Sequence, residues 1–146
     1  MRAEIINSII EEQKKIITNL EESVDRYKSA SNLDDDNTHD PEDFSHQDEA
    51  KDMQLRFEQR LNEAKLNLDA ISDSTNNVHT EIENGALIET PDNFIFIGIS
   101  LPIFKHNGKD IITISGQAPI FQELKGKKVN DSITIGNNSH TIITIY

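Results

Sequence analysis

The sequence predicts an α+β protein, with an N-terminal antiparallel coiled-coil helical hairpin over residues 1–73, then a small antiparallel β domain with one short helix over 85–146. Three observations predict it. Two stretches carry apolar residues at helical spacing, an acidic segment without Lys or Arg separates them, and from Ala86 the pattern changes to short Ile- and Thr-rich runs bounded by turn residues.

In the first helix the apolar positions are Ile6, Ile9, Ile10, Ile16, Ile17, Leu20, Val24 and Tyr27, with Gln13 in the one gap. In the second they are Ala50, Met53, Phe57, Leu61, Ala64, Leu68 and Ile71. Both repeats run for about three heptads without an internal glycine or proline, as a helix with one buried seam requires. Seams of matching length joined by a short polar link fold back on each other. A constant register centred on Asn37 sets Ile10 against Ala64, Ile17 against Phe57, Val24 against Ala50 and Tyr27 against Gln47. Ile5, Ile9 and Ile16 add apolar positions beside the first seam, for docking on the β domain or, alternatively, for self-association.

The link, NLDDDNTHDPEDFSHQDE at 32–49, holds eight acidic side chains, against a net charge of −12 for the whole chain. Like charges at that density repel, a cost that closing a turn does not require. The register puts them at the tip of arms of about 28 residues, roughly 40 Å long at 1.5 Å per residue.

Composition narrows the function. An acidic chain without clustered Lys and Arg is not built for phosphate backbones or for direct sequence-specific DNA binding. With no cysteine there are no disulfides, thiolate zinc sites or cysteine nucleophiles, and 5% aromatics without tryptophan argue against a large aromatic pocket. No run approaches the ~20 apolar residues of a membrane span, and MRAEIINSII leads straight into charges, so the expectation is a soluble cytoplasmic protein, monomeric and without a membrane partner.

After Ile71 the helical periodicity stops, and 74–84 reads as a polar linker. The β-type runs are ALIET, NFIFIGI, DIITIS, SITI and HTIITIY. Asn107-Gly108 suits a type I′ hairpin turn, and GNN at 136–138 suits another. Between the third and fourth runs, APIFQELKG reads as a short helix with Pro119 in its first turn and Gly126 at its end.

The stretch ITISGQAPIFQELKGKKVNDSITI resembles the C-terminal domain of the GreA/GreB transcript-cleavage factors. Pro119, Leu124, Gly126, Lys127 and Asp131 fall at that family's spacing, with Ala118 in place of its serine and Asn130 in place of its glycine. A hairpin ahead of such a domain is also the Gre arrangement. The resemblance implies an FKBP-like β domain that docks on RNA polymerase, through Ala118, Pro119, Ile120, Leu124 and Lys127, and a coiled coil that enters the secondary channel and contacts the transcript 3′ end. The tip, with Asp40-Pro41-Glu42-Asp43, is also similar to that of DksA, which enters the same channel without stimulating cleavage.

Chemistry at the tip follows from the carboxylates. Asp40 and Asp43, one helical turn apart, project to one side of a starting helix, with Asp34, Asp35 and Asp36 as secondary oxygen donors. Magnesium takes one or two protein carboxylates and completes its shell with water and phosphate, so this tip binds no cofactor alone but can share magnesium with polymerase in two-metal hydrolysis. Asp40 and Asp43 are the candidate catalytic residues in that sense; the chain is not expected to be an enzyme by itself. The plainer reading makes Asp40 an N-cap, Pro41 the first helical residue and Glu42 and Asp43 favourable charges in the first turn. His39 and His46 lack a third ligand at a defined spacing and read as solvated residues.

Two other functions compete. One is a structural or adaptor protein that self-associates through its helices and binds a partner through the β domain. The other is a peptidyl-prolyl isomerase, which would need an aromatic-lined pocket drawn from Phe94, Phe96, Phe104, Phe121 and Tyr146.

Overall fold

The computed structural model describes residues 1–31 and 41–146, without the side chains of Asp43 and Phe44. Two long helices come first, α1 (Arg2–Ser31) and α2 (Pro41–Asp73). Seven short strands and a six-residue helix, α3 (Pro119–Leu124), follow. The chain is α+β, as its residue pattern predicts. It divides into two compact units, Glu11–Asp69 and the pair of segments Met1–Ile10 with Ala70–Tyr146.

In the Glu11–Asp69 unit, Ile17, Leu61 and Ala64 form the buried centre of the seam, with Leu20, Val24 and Leu68 packed beside them. Gln13, the polar residue in the apolar series, is buried yet satisfied, because its Nε2 donates to the Ala64 carbonyl at 3.0 Å. Tyr27 stacks on Phe57, and Ser31 Oγ lies 3.3 Å from Gln54 Oε1, so the helices are antiparallel.

The register centred on Asn37 is corrected by these contacts. Ala64 meets Gln13 rather than Ile10, and Phe57 meets Tyr27 rather than Ile17. Long helical side chains lean toward their own N-terminus, which exaggerates the offset for the aromatic pair. The offset is three residues at Gln13 with Ala64 and eleven at Ser31 with Gln54, a slide of about one to three helical turns. A repeat of three and four residues lets one helix slide by a turn without leaving the seam, so periodicity finds the seam and leaves the slide open.

The other unit holds a five-stranded sheet in the order β3-β4-β2-β1-β7 and a two-stranded ribbon, β5-β6. Here β1 is Leu87–Glu89, β2 Asn93–Ile97, β3 Phe104–His106, β4 Lys109–Ile114, β5 Ser132–Ile135, β6 Asn138–Thr141 and β7 Thr144–Ile145. All five residues of β2 are buried, as befits a central strand covered on both faces. Ile82, Ile88, Ile95, Ile97, Ile114, Phe121, Leu124, Ile133 and Ile142 share one core.

Three features depart from the expected antiparallel domain. β3 is a strand where none was expected, and β2 and β4 are parallel. The two are linked: one reversal between β2 and β4 would leave them antiparallel, and β3 adds a second. The run HTIITIY divides between sheets, because Ile142 exchanges backbone bonds with Asn130 and Asp131 while the Ile143 N–H donates to the Glu89 carbonyl at 2.8 Å. Both hairpin turns form. Asn107 and Gly108 have φ of 50° and 83°, the type I′ signs, whereas at the second turn only Gly136 of the central pair is positive (φ 61°), which fits type II′.

The first turns of α1 belong to this unit. The Arg2 guanidinium is buried and donates to four main-chain oxygens: Nε to Thr75 at 3.2 Å, Nη1 to Tyr146 at 3.0 Å, and Nη2 to Ser74 at 2.9 Å and Gly85 at 2.8 Å. Burial lowers its pKa from the ordinary arginine value. Ser8 Oγ lies 2.8 Å from His106 Nδ1 of β3. Ile5 and Ile9 are fully buried, and Ile16 is half-buried.

Candidate functional site

The segment from Ser115 to Asp131 is held from several directions. The Gln117 N–H donates to Ser115 Oγ at 3.2 Å and the Ala118 N–H to the Ser115 carbonyl at 3.0 Å, closing a turn before α3. Ala118 is the N-cap and has no side-chain oxygen to cap with. Pro119 then sits where an N–H would have no helical partner, and its fixed φ suits the first turn. Phe121 and Leu124, at i and i+3, bury one face of the helix. Gly126 ends it with φ +85°, its N–H donating to the Ile82 carbonyl at 2.8 Å, while the Ile82 N–H donates to the Lys127 carbonyl at 2.8 Å. Ile82 thus clamps the end of α3 to a stretch that reads as linker.

The five expected docking residues therefore differ in what they present. Pro119 is exposed and Lys127 half-exposed, at opposite ends of α3. Ala118 and Ile120 are half-buried and pack on the core. Leu124 is 1% exposed, so its side chain holds the helix down rather than facing a partner. The outward face of α3 is instead Pro119, Gln122 and Glu123, continuing into Lys125 and Gly126.

At the other candidate site, Asp34, Asp35, Asp36, His39 and Asp40 lie outside the described residues. Asp43 belongs to α2, and its side chain lies outside the described residues too. Pro41 is the first residue of α2, the position it favours. Just inside the helix His46 lies between Glu42 (Nε2 to Oε1, 3.5 Å) and Glu49 (Nδ1 to Oε2, 3.7 Å), with all three side chains exposed. Among the described residues no group of three or more His, Asp and Glu is placed to hold a metal ion. No helix among them is long and apolar enough to cross a membrane.

Phe94, Phe96 and Phe121 are 4%, 1% and 6% exposed, so three of the five rings an isomerase pocket would draw on are spent on the core, while Phe104 and Tyr146 are half-buried. Arg2 and His79 had no role in the sequence reading. His79 Nδ1 is 2.6 Å from Glu83 Oε1, and because a carboxylate only accepts, Nδ1 carries the proton. His79 Nε2 is buried against Gly85 without a hydrogen-bond partner among the described residues. A lone basic residue in the opening stretch MRAEIINSII was the available signal for Arg2.

No protein-family model matches the chain, and no curated protein matches it. Among solved structures it is similar to the crystal structure of GreA factor homolog 1 (Gfh1) of Thermus thermophilus, at 16% sequence identity and a TM-score of 0.35, over 99% of this chain and 94% of that one. A likeness this slight carries no residue role from one chain to the other.

Proposed function

We propose that the chain is an RNA polymerase-binding transcription factor of the Gre type, which inserts the acidic end of its hairpin into the secondary channel and modulates the metal centre there. The observation that carries the reading is a combination within one chain. A two-helix arm has eight acids gathered where its helices are joined, and a β unit sets the Gre-like stretch from Pro119 to Lys127 on a firmly held helix end. In this reading the β unit supplies the affinity and the tip supplies the effect. Asp40 and Asp43 add oxygen ligands to magnesium that polymerase already holds, with Asp34, Asp35 and Asp36 as secondary donors, and the tip lies near the transcript 3′ end. The factor works as a monomer, where the polymerase works, in the cytoplasm, and has no catalysis of its own.

The test is a stalled polymerase carrying a 3′-extended transcript, assayed with and without the full chain. A change in cleavage or in restart supports the reading, and absence of both binding and effect removes it.

An adaptor that self-associates through α2 is the second reading, favoured by Leu55 and Leu66. They are 52% and 68% exposed and eleven residues apart, close to three turns and hence on one face. Sedimentation of the full chain separates the two readings, since the adaptor requires a dimer that Leu55→Ser with Leu66→Ser dissolves.

A further inference from the structure

We infer a second docking surface on the β unit, made by Val129, Ile143 and the lysines at 125, 127 and 128, that fits an acidic protein segment bearing apolar side chains. Val129 and Ile143 are 43% and 46% exposed, in a unit whose other aliphatic side chains are mostly buried. The backbone brings them together. The Asn130 N–H donates to the Ile142 carbonyl at 2.9 Å and the Ile142 N–H to the Asp131 carbonyl at 2.9 Å, so two residues oppose one. This is a bulge with Asn130 in the left-handed region at φ 75°; the Asp131 N–H also donates to the Lys128 carbonyl at 3.0 Å, so Val129 lies in a turn beside Asn130 while Ile143 follows Ile142, the bonded partner of Asn130.

Charge decides what suits this pair. The other lysines of the unit are paired, Lys105 with Asp110 at 3.1 Å and Lys109 with Glu89 at 3.1 Å. Lys125, Lys127 and Lys128 have no carboxylate within ion-pair distance among the described residues, although Glu123 is exposed nearby on α3. Asp131, the other acid close in sequence, already accepts the Lys128 N–H through Oδ2 at 2.8 Å. Beside them Gly126 faces open space. In a chain of net charge −12, a local basic cluster rimming two exposed aliphatics attracts an acidic surface and gives it an apolar anchor. Nucleic acid fits less well. The chain's overall charge repels a polyanion, and the Phe94, Phe96 and Phe121 rings are buried and unable to stack on bases. The surface shares Lys125 and Lys127 with the Pro119–Lys127 stretch proposed to dock on polymerase, and its test does not involve polymerase.

The full chain, isotope-labelled for amide NMR, is titrated with a peptide of alternating Glu and Leu, with its Lys-for-Glu counterpart, and with single-stranded RNA. Amide shifts confined to residues 125–130 and 142–143, with the acidic peptide only, are expected. Lys125→Glu with Lys128→Glu should weaken that binding by about tenfold or more. Val129→Ser with Ile143→Ser should weaken it too, and at these exposed sites the fold is expected to persist, checked by circular dichroism. Absence of shifts at these amides overturns the inference, as does equal binding of the basic peptide. RNA that shifts the same amides and is indifferent to the Val129 and Ile143 changes assigns the lysines to polyanions and overturns it as well.

Discussion

Tyr27 stacks on Phe57, ring centroids 5.4 Å apart and planes 13° from parallel, with the Arg60 guanidinium 5.5 Å from the Phe57 ring centre. Aromatic pairs of this geometry contribute about 0.5–1.5 kcal/mol beyond their burial. A double-mutant cycle with Tyr27→Ala and Phe57→Ala, read by urea denaturation, should give a coupling of that size. The cycle joining Phe57 to Ile17 should give less, and the reverse order would restore the register centred on Asn37.

Arg2→Ala should destabilise the chain by about 2–4 kcal/mol, since hydrogen bonds from a charged donor are among the stronger ones and four main-chain oxygens lose theirs together. Arg2→Lys should recover only part of this, because an ammonium cannot span acceptors arranged for a planar fork. Equal stability of the three proteins would show that the contacts carry no net energy.

Tyr146 donates its hydroxyl to Glu89 Oε2 at 3.0 Å. Burial raises its pKa above 10.0, the Glu89 hydrogen bond and charge add to the rise, and a hydrogen bond with Thr144 opposes it. A folded-state pKa above the unfolded value favours the neutral phenol, so the contribution is fully present below about pH 10 and is lost as pH rises through the raised value. Tyr146→Phe should flatten the alkaline limb of a stability profile above about pH 10. An unchanged alkaline limb would place its cause elsewhere.

Leu124→Ala should cost about 2–5 kcal/mol of stability, the range for emptying a buried leucine site. Lys127→Ala should leave stability within about 0.5 kcal/mol and weaken polymerase binding. Thermal melts beside a binding assay separate the two, and a large loss of stability for Lys127→Ala would make that residue structural.

For the tip, Asp40→Asn preserves capping, because asparagine caps about as well as aspartate, but supplies a much poorer ligand for a hard cation. If the carboxylate acts on magnesium, the change should abolish the effect on transcript cleavage or initiation and leave binding intact. Asp43→Asn should behave likewise, and His39 and His46 substitutions should matter little. A doubly substituted chain with undiminished effect would leave an arm that acts only by obstruction.

Much of the architecture was legible because the residues concerned act locally. The seams of α1 and α2, Pro119 and Gly126 at the ends of α3, and the Asn107-Gly108 turn each depend on neighbours within one element. What escaped depends on distant partners. β3 has three residues, two of them Lys105 and His106, and its pairing with β4 defines it rather than its own propensity. Ile82 and Val78 are the two aliphatic residues of a polar stretch, and only the core shows why Ile82 is the buried one. At the candidate site, the spacing of Pro119 and Leu124 marked the helix correctly but could not tell an outward side chain from a buried one.

Arg2 grips a main-chain oxygen 144 residues further along the chain, at Tyr146. During synthesis the first turn of α1 leaves the ribosome 144 residues ahead of this acceptor. The α1–α2 contacts, such as Gln13 with Ala64, are complete much earlier. A chain interrupted between them would carry the helical arm without a closed β unit, so the segment bearing the acids exists before the unit proposed to hold it on polymerase. A fragment of residues 74–146 would have the opposite defect, lacking the guanidinium that ties Ser74, Gly85 and Tyr146 together.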